Sequence, residues 1–209
     1  YNWHWFWHWG TGEINNNGLH ELDICRWALD VGHPSRVTSS GGRFHFEDDW
    51  EFYDTQIASF EHGDDKMITW EGRSCNDFKY YDRGRGSMIY GTDGTALLDR
   101  NGYFLYDKDG ELIKQVNERS RSGTTDVVGA GALVKYHMEN FFAAIRDGAT
   151  LNAPIEEGAI STLMCHLGNF SQKLGRTLNI DPDNGHIKSD KEAMSYWSRD
   201  YESGWSPEF

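Results

Sequence analysis

Three turn signals, spaced closely along the middle of the chain, most constrain its fold. Each contains aspartate or asparagine followed by glycine, a pair typical of the short turns of β-hairpins. They are Thr92-Asp93-Gly94, Arg100-Asn101-Gly102 and Lys108-Asp109-Gly110. The β-rich segments that they separate lie too close together for the helical crossover that parallel strands require. The sequence therefore predicts a largely antiparallel sheet.

Further strands and helices complete the predicted order. Strands are predicted at 36–40, 55–61, 66–72, 86–90, 95–99, 103–106 and 112–116. Helices are predicted from a glycine-rich turn to about residues 29–32, at 132–147, at about 155–174 and at 189–201. The polar stretch 118–129 has no periodicity and is predicted to be a long loop. This order favours an α+β fold, in which helices pack on one face of an open, largely antiparallel sheet.

Length, charge and hydrophobicity exclude several classes of protein. The 209 residues are enough for one large domain or two small ones with a sizeable core. The formal net charge of −13 argues against a nucleic-acid partner, because phosphates would repel it. No apolar run approaches the roughly 20 residues of a transmembrane helix, so no membrane partner is predicted.

The cysteines and the first residue bear on the compartment. The three cysteines are widely spaced and form no paired motif, which is typical of small buried residues in a reducing compartment. We therefore expect a cytoplasmic protein, with a periplasmic one left open. Because the chain begins with Tyr1 rather than methionine, we interpret it as a piece of a longer protein. A targeting segment would not be visible in such a piece.

A glycine-punctuated turn, Gly10-Thr11-Gly12, leads into an amphipathic helix with chemically useful side chains. Asn16 and His20 are four residues apart and therefore lie on one helix face, and Asp23 projects on nearly the same side. An imidazole is the side chain best suited to proton transfer near neutral pH. The sequence therefore predicts His20 as a general acid or base.

The segment Trp3–Trp9 alternates aromatic and histidine side chains. If it is extended, four tryptophans lie on one face and His4 and His8 lie on the other. A metal site that uses these histidines with His20 has no carboxylate or cysteine cluster to support it, so no metal is predicted. The rings are interpreted as core residues or as surfaces on which a sugar stacks.

Two glycine pairs resemble parts of a phosphate-binding loop, but neither fits its pattern. Gly84-Arg85-Gly86 precedes a predicted strand, whereas the dinucleotide-binding loop precedes a helix. Gly129-Ala130-Gly131 precedes a helix, but no predicted strand leads into it and no third glycine follows. The sequence therefore predicts that this chain contains no dinucleotide-binding half.

The helix start and several later blocks resemble a known family. Five positions align with the pattern glycine, aspartate, glycine, histidine, aspartate that opens the C-terminal domain of the Gfo/Idh/MocA oxidoreductases, the glucose-fructose oxidoreductase and inositol dehydrogenase family, and four of them are identical to it. They are Gly12, Asn16, Gly18, His20 and Asp23. Weaker likenesses follow in the family's order at 91–95, 137–142 and 166–169. The resemblance covers essentially the whole chain.

The resemblance implies an architecture and partners. Residues 1–209 would form one substrate-binding and oligomerisation domain, similar to the C-terminal domain of glyceraldehyde-3-phosphate dehydrogenase, and the N-terminal Rossmann domain would be absent from this chain. NAD or NADP would be bound mainly by that other domain. The substrate would be a small carbohydrate, and a homodimer or homotetramer would form through the open face of the sheet.

The resemblance also implies roles for individual residues. His20 would take the hydroxyl proton as hydride leaves the sugar carbon, and Gly12 would contact the cofactor. The substrate would contact Asn16, Trp5, Trp7, Asp23 and His137. At position 16 the family has aspartate. The amide of Asn16 can bind a substrate hydroxyl, but it cannot stabilise an imidazolium by charge.

Three functions remain open from the sequence. The first is the substrate-binding half of a nicotinamide-dependent oxidoreductase that acts on a sugar, polyol or related carbohydrate. The second is a relative in which transient oxidation by bound NAD leads to cleavage of a glycosidic bond. The third is a carbohydrate-binding module without chemistry, in which His20 is incidental.

Overall fold

The computed structural model describes residues 2–63, 65–117 and 131–206. Its helices are α1 (Leu19–Leu29), α2 (Gly131–Asp147), α3 (Ile155–Leu174) and α4 (Lys191–Met194). Its strands are β1 (Arg36–Gly42), β2 (Thr55–His62), β3 (Lys66–Arg73), β4 (Ser87–Tyr90), β5 (Thr95–Asp99), β6 (Gly102–Tyr106), β7 (Leu112–Asn117) and β8 (Leu178–Asn179). A π-helical stretch, Ile14–Gly18, leads directly into α1. The predicted loop 118–129 lies outside the described residues.

The first sheet is antiparallel and has the strand order β3-β2-β1-β8. Side chains alternate along its strands, so that one face is buried and the other is exposed. The buried face supplies Val37, Ala58, Phe60, Ile68 and Leu178 to the core. The opposite face, which includes Ile57 and Met67, is exposed. This is the face that the resemblance implies for oligomer formation, which stays a prediction.

Helices α1 and α3 cover the buried face of the first sheet. Arg26 of α1 is only 3% exposed and fixes the two helices together. It donates hydrogen bonds to the hydroxyl of Ser161 (2.8 Å) and to the carboxylate of Glu157 (2.8 Å) on α3. Ser161 in turn donates to Asp23 of α1 at 2.6 Å. The direction of α1 is therefore set by a polar network on the side that faces α3.

The second sheet is also antiparallel and has the order β4-β5-β6-β7. Its hairpins turn at the three signals seen in the sequence, which confirms the antiparallel pairing there. The α+β class is also confirmed, but the strands divide between two sheets rather than extending one. The segment 74–86 connects β3 of the first sheet to β4 of the second, and Tyr81 and Asp82 within it have positive φ angles.

The two ends of the chain differ from what the sequence pattern suggests. Residues Asn2–Trp5 form a 3-10 helix, so the alternation that an extended segment would give does not arise there. The cause is a set of local turns, in which Phe6 N donates to Trp3 O and Gly10 N donates to Phe6 O. The helix predicted at 189–201 is a four-residue helix, α4, followed by a 3-10 helix over Ser195–Trp197.

Helix α2 corresponds to the helix predicted at 132–147. Its apolar side chains are largely exposed, among them Val134, Phe142 and Ile145. Among the helices of the described residues, none combines the length and apolar character needed to cross a membrane.

Candidate functional site

The helix start is shaped by two glycines that the packing requires. Gly12 has a φ of +69°, and an added Cβ would lie 2.6 Å from Cδ1 of Phe52. An added Cβ at Gly18 would lie 2.7 Å from Nε1 of Trp70. Both distances are below van der Waals contact. The structure therefore accounts for Gly12, which the resemblance implies as a cofactor contact, by its backbone conformation and by its contact with Phe52.

Replacing Gly18 with Ala is expected to lower the free energy of unfolding by about 1–3 kcal/mol, because the new methyl group overlaps the buried indole of Trp70. Gly158 in α3 provides a matched control, because an added Cβ there meets nothing within 4 Å. Gly158→Ala should stabilise by about 0.5–1 kcal/mol through helix propensity. Urea denaturation of both variants measures the difference, and shifts of the same sign would contradict the close approach of α1 to β3.

The predicted pair Asn16 and His20 lies at the start of this helix with both side chains exposed. Asn16 is within the π-helical stretch, a type of irregularity that often marks functional positions in helices. The His20 imidazole makes no hydrogen bond to another described residue. Asn16 donates from Nδ2 to Oε2 of Glu13 at 3.2 Å. The Asn16 amide is therefore oriented by a neighbouring carboxylate, and His20 is accessible to a substrate.

Glu13 is a site residue that the sequence analysis missed. Its carboxylate accepts from Asn16 at one oxygen and from Nδ2 of Asn17 at the other, the second at 2.5 Å. At position 16, where the resemblance implies aspartate, the chain has Asn16, and Glu13 places a carboxylate in direct contact with that amide. The signal was present in the sequence, because Glu13, Asn17 and Glu21 recur every four residues and so share one side of the helix.

Arg85 was also missed, and it connects the helix to the second sheet. It donates from Nη1 to Oδ1 of Asn17 at 2.5 Å and from Nε to Oε1 of Glu21 at 2.8 Å. Its Nη2 donates to the backbone carbonyl of Asn17. In the sequence, Arg85 stands out only as the residue between Gly84 and Gly86. Its partners lie 64 and 68 residues away in the chain, so local patterns could not identify them.

A cavity of about 660 Å³ lies beside this network, between α1, β3 and the segment 74–86 that leads into β4. Glu13, Asn17 and Glu21 line one wall. Cys25 also lines it, and burial raises the pKa of its thiol, which disfavours a reactive thiolate at neutral pH. The cavity therefore offers carboxylates, amides and guanidinium groups rather than a cysteine nucleophile.

The other predicted substrate residues have different surroundings. Asp23 accepts from Ser161 and serves the packing of α1 on α3. Trp5 is 5% exposed and stacks on Trp50 with a centroid distance of 4.7 Å, so neither its edge nor its face is free for a ligand. His137 is exposed on α2. Asn16 and His20 are thus exposed at the helix start, Trp5 and Asp23 take part in packing, and the substrate contacts of Asp23 and His137 stay predictions.

Trp7 has a different environment from Trp5. Its half-buried ring packs on Phe52 at 4.2 Å, and the ammonium of Lys173 lies 4.0 Å from its centroid. Trp7 also donates its backbone N–H to Glu51 at 2.6 Å. The aromatic segment is therefore bound to the loop before β2. Among the described residues, no group of three or more His, Cys, Asp or Glu side chains is arranged to hold a metal ion.

The chain was compared with known families and structures. Residues 1–97 match the model of the GFO/IDH/MocA C-terminal domain, which confirms the resemblance seen in the sequence. The comparison with curated proteins gives no match. Solved structures also match, and three of them illustrate the likeness.

An oxidoreductase from Agrobacterium radiobacter, solved with NAD⁺, L-tartaric acid and magnesium, has a TM-score of 0.61 at 15% identity over 80% of this chain and 48% of its own. The WlbA dehydrogenase from Bordetella pertussis, solved with NADH and UDP-GlcNAcA, has a TM-score of 0.53 at 14% identity over 87% of this chain and 49% of its own. A myo-inositol dehydrogenase from Corynebacterium glutamicum has a TM-score of 0.50 at 17% identity over 83% of this chain and 51% of its own. The chain thus spans about half the length of these structures, and the likeness shows the fold.

Proposed function

We propose that this chain, which has the fold of a Gfo/Idh/MocA C-terminal domain, is the substrate-binding half of a nicotinamide-dependent oxidoreductase. Its substrate would be a sugar, a polyol or a related carbohydrate. The observation that carries the proposal is the exposed pair of Asn16 and His20 within the matched residues 1–97. The side chains are four residues apart, and the Asn16 amide is held by Glu13.

In this proposal His20 moves the proton. Its exposed imidazole accepts the hydroxyl proton of the sugar while hydride leaves the same carbon, and it returns the proton in the reverse reaction. Asn16 uses one amide N–H for Glu13, so its carbonyl oxygen remains to accept a hydrogen bond from a substrate hydroxyl. Together the two side chains would fix the position of the reacting carbon and its proton.

The cofactor would be NAD or NADP, and it supplies the hydride acceptor when bound. Within the described residues, no strand leads through a glycine-rich turn into a helix, which is the unit that holds the pyrophosphate of a dinucleotide. The residues present therefore fit a protein in which the substrate and the dinucleotide are bound by different domains. A second domain of the complete protein would bind the dinucleotide, and this chain would present the His20 face to its nicotinamide end.

A nucleotide titration tests this division. NADH and NADPH fluorescence would be followed with the 209-residue chain and with the complete product of its gene. We expect binding by the complete protein and none by the 209-residue chain, because the pyrophosphate site lies in the other domain. Binding by neither protein would contradict the oxidoreductase and favour a carbohydrate-binding module without chemistry.

A further inference from the structure

The cavity beside the helix has an aromatic wall that the proposed reaction does not use. Phe78, Tyr80 and Tyr81, all on the segment 74–86, line it, and each exposes more than half of its side-chain surface. The guanidinium of Arg73 lies 4.9 Å from the centre of the Tyr80 ring and helps to hold it. Exposed aromatic rings at the edge of a cavity provide flat apolar faces, which suit the C–H faces of sugar rings.

The cations of the cavity are already neutralised. Each of the three arginines that line it is paired with a carboxylate at 2.7–2.9 Å. The pairs are Arg73–Glu71, Arg83–Asp99 and Arg85–Glu21. Among its described lining residues, no arginine is left to neutralise a phosphate or a carboxylate of a ligand. The paired groups still offer hydrogen-bond donors and acceptors, which suits neutral hydroxyl groups.

The segment that carries the aromatic rings has an unusual backbone. Tyr81 and Asp82 are consecutive non-glycine residues in the left-handed region, with φ angles of 51° and 60°. Tyr80 and Arg83 close the turn around them with two backbone hydrogen bonds, of 3.1 and 2.9 Å. Such conformations cost about 1–3 kcal/mol each and cluster at ligand-binding sites. The turn fixes the two tyrosines at the cavity rather than leaving them on a flexible loop.

The cavity adjoins the proposed reacting face. Asn17 and Glu21 line the cavity, and His20 lies three residues after one and directly before the other. Glu13 contacts both Asn16, on the reacting face, and Asn17, on the cavity wall. One hydrogen-bond network therefore extends from the reacting face into the cavity. The cavity wall and the His20 face therefore lie on adjacent sides of one helix.

We propose that this cavity is a subsite for a second sugar ring, so that the substrate is a neutral glycoside of two or more rings. The inference rests on the proposed function, because it places the first ring at His20. A cavity of about 660 Å³ has room for a sugar ring in addition to the ring at His20, which does not line it. The paired arginines favour a neutral ring over a nucleotide or a sugar acid. The aromatic wall supplies the stacking surface.

Saturation-transfer NMR and calorimetry on the 209-residue chain test the subsite. The probes are methyl β-D-glucopyranoside, the disaccharides cellobiose, maltose, lactose and trehalose, and UDP-glucose. We expect at least one disaccharide to bind tenfold or more tightly than the methyl glycoside and more tightly than UDP-glucose. Equal affinity for one ring and two, tighter binding of UDP-glucose, or binding of no disaccharide would each overturn the subsite.

Two variants assign the gain to the aromatic wall. Phe78→Ala and Tyr81→Ala should each remove most of the tenfold advantage of the disaccharide while leaving affinity for the methyl glycoside unchanged. Tyr201→Ala is the matched control, because Tyr201 is about half exposed and does not line the cavity. If Tyr81→Ala disturbs the turn at Tyr81 and Asp82, Phe78→Ala still tests whether the aromatic wall binds the second ring. A disaccharide advantage that survives both variants would overturn the role of the wall.

The outcomes separate the subsite from the proposed function. A disaccharide advantage in the chain, together with undiminished turnover by a His20 variant of the complete protein, would support the subsite and contradict the catalytic proposal. If turnover is lost on His20 replacement and no disaccharide binds more tightly than the methyl glycoside, the catalytic proposal would be supported and the subsite contradicted.

Discussion

Replacing Asp54 with Asn is expected to lower the free energy of unfolding by about 2–4 kcal/mol. Asp54 is only 4% exposed, and its carboxylate accepts backbone N–H bonds from Phe44 (3.0 Å), His45 (2.9 Å) and Phe46 (3.2 Å). It also accepts the hydroxyl of Thr55 at 2.9 Å. An amide has one acceptor oxygen and presents N–H groups to the remaining donors. Several N–H donors to this buried carboxylate would then lose their partner.

The same carboxylate predicts a loss of stability in acid. Burial by itself would raise the pKa of Asp54, but the hydrogen bonds from the backbone of His45, Phe44 and Phe46 outweigh it and hold the pKa below its ordinary value of 3.8. The folded protein therefore binds the proton less readily than the unfolded chain. The stabilisation is complete well above pH 3.8 and is lost as the pH falls through the lower folded value.

Thermal and urea unfolding at pH 7 and between pH 5 and 2 would measure both effects. Asp49→Asn is the control, because Asp49 is an exposed acid of the same loop and loses the same charge. The Asp49 variant should unfold like the wild type, and the Asp54 variant should show a flatter decline of stability below pH 3.8. Equal stability of the two variants at pH 7 would contradict the role of Asp54 in ordering the loop before β2.

Local patterns predicted the elements of this fold well, because the information for each lies within a few residues. The hairpin of β2 and β3 follows from alternating side chains around a short turn, and the structure pairs Thr55 with Arg73 and His62 with Lys66. The end of α3 at Leu174 follows from Gly175, whose φ of +64° ends the helix in the left-handed conformation.

The arrangement of the elements depended on contacts between distant residues, which the sequence does not display. The sequence left the conformation of the aromatic segment open. Its turns are completed by the loop before β2, where Glu51 and Phe52 both donate backbone N–H groups to the carbonyl of Trp5. The connection between the two sheets likewise contains an unusual turn at Tyr81 and Asp82. Neither residue type by itself signals a left-handed backbone there.

The candidate site shows the same limit. The spacing of Asn16 and His20 was sufficient to predict a shared, polar helix face. Predicting the cavity beside it would have required the contact of Arg85 with Asn17, and these residues are 68 positions apart in the chain. In the sequence, Phe78 and Tyr80 look like ordinary loop residues. Only the structure shows that they line the same cavity as residues 69–73 of β3. A site built on one helix can be predicted from a motif, whereas a site built between sheets cannot.

Replacing His20 with Gln in the complete protein is expected to lower turnover by roughly 10²–10⁴-fold, the usual contribution of a positioned general acid or base. Glutamine keeps the polarity and approximate length of the side chain but cannot take a proton near neutral pH. Because the His20 ring is exposed and makes no hydrogen bond to another described residue, the replacement should leave the free energy of unfolding unchanged. The loss would therefore appear in kcat, with substrate affinity changed by only a few-fold.

The control is His186→Gln, which replaces another exposed histidine, one that packs edge-on to Trp197. Turnover would be followed by the absorbance of the reduced nicotinamide with a panel of sugars and glycosides, together with NAD⁺ or NADP⁺. The control should retain wild-type turnover. If His20→Gln also retains turnover within a few-fold, proton transfer does not pass through this imidazole. The exposed Asn16 and His20 face would then serve to bind carbohydrate, and the acid or base would have to come from another residue of the complete protein.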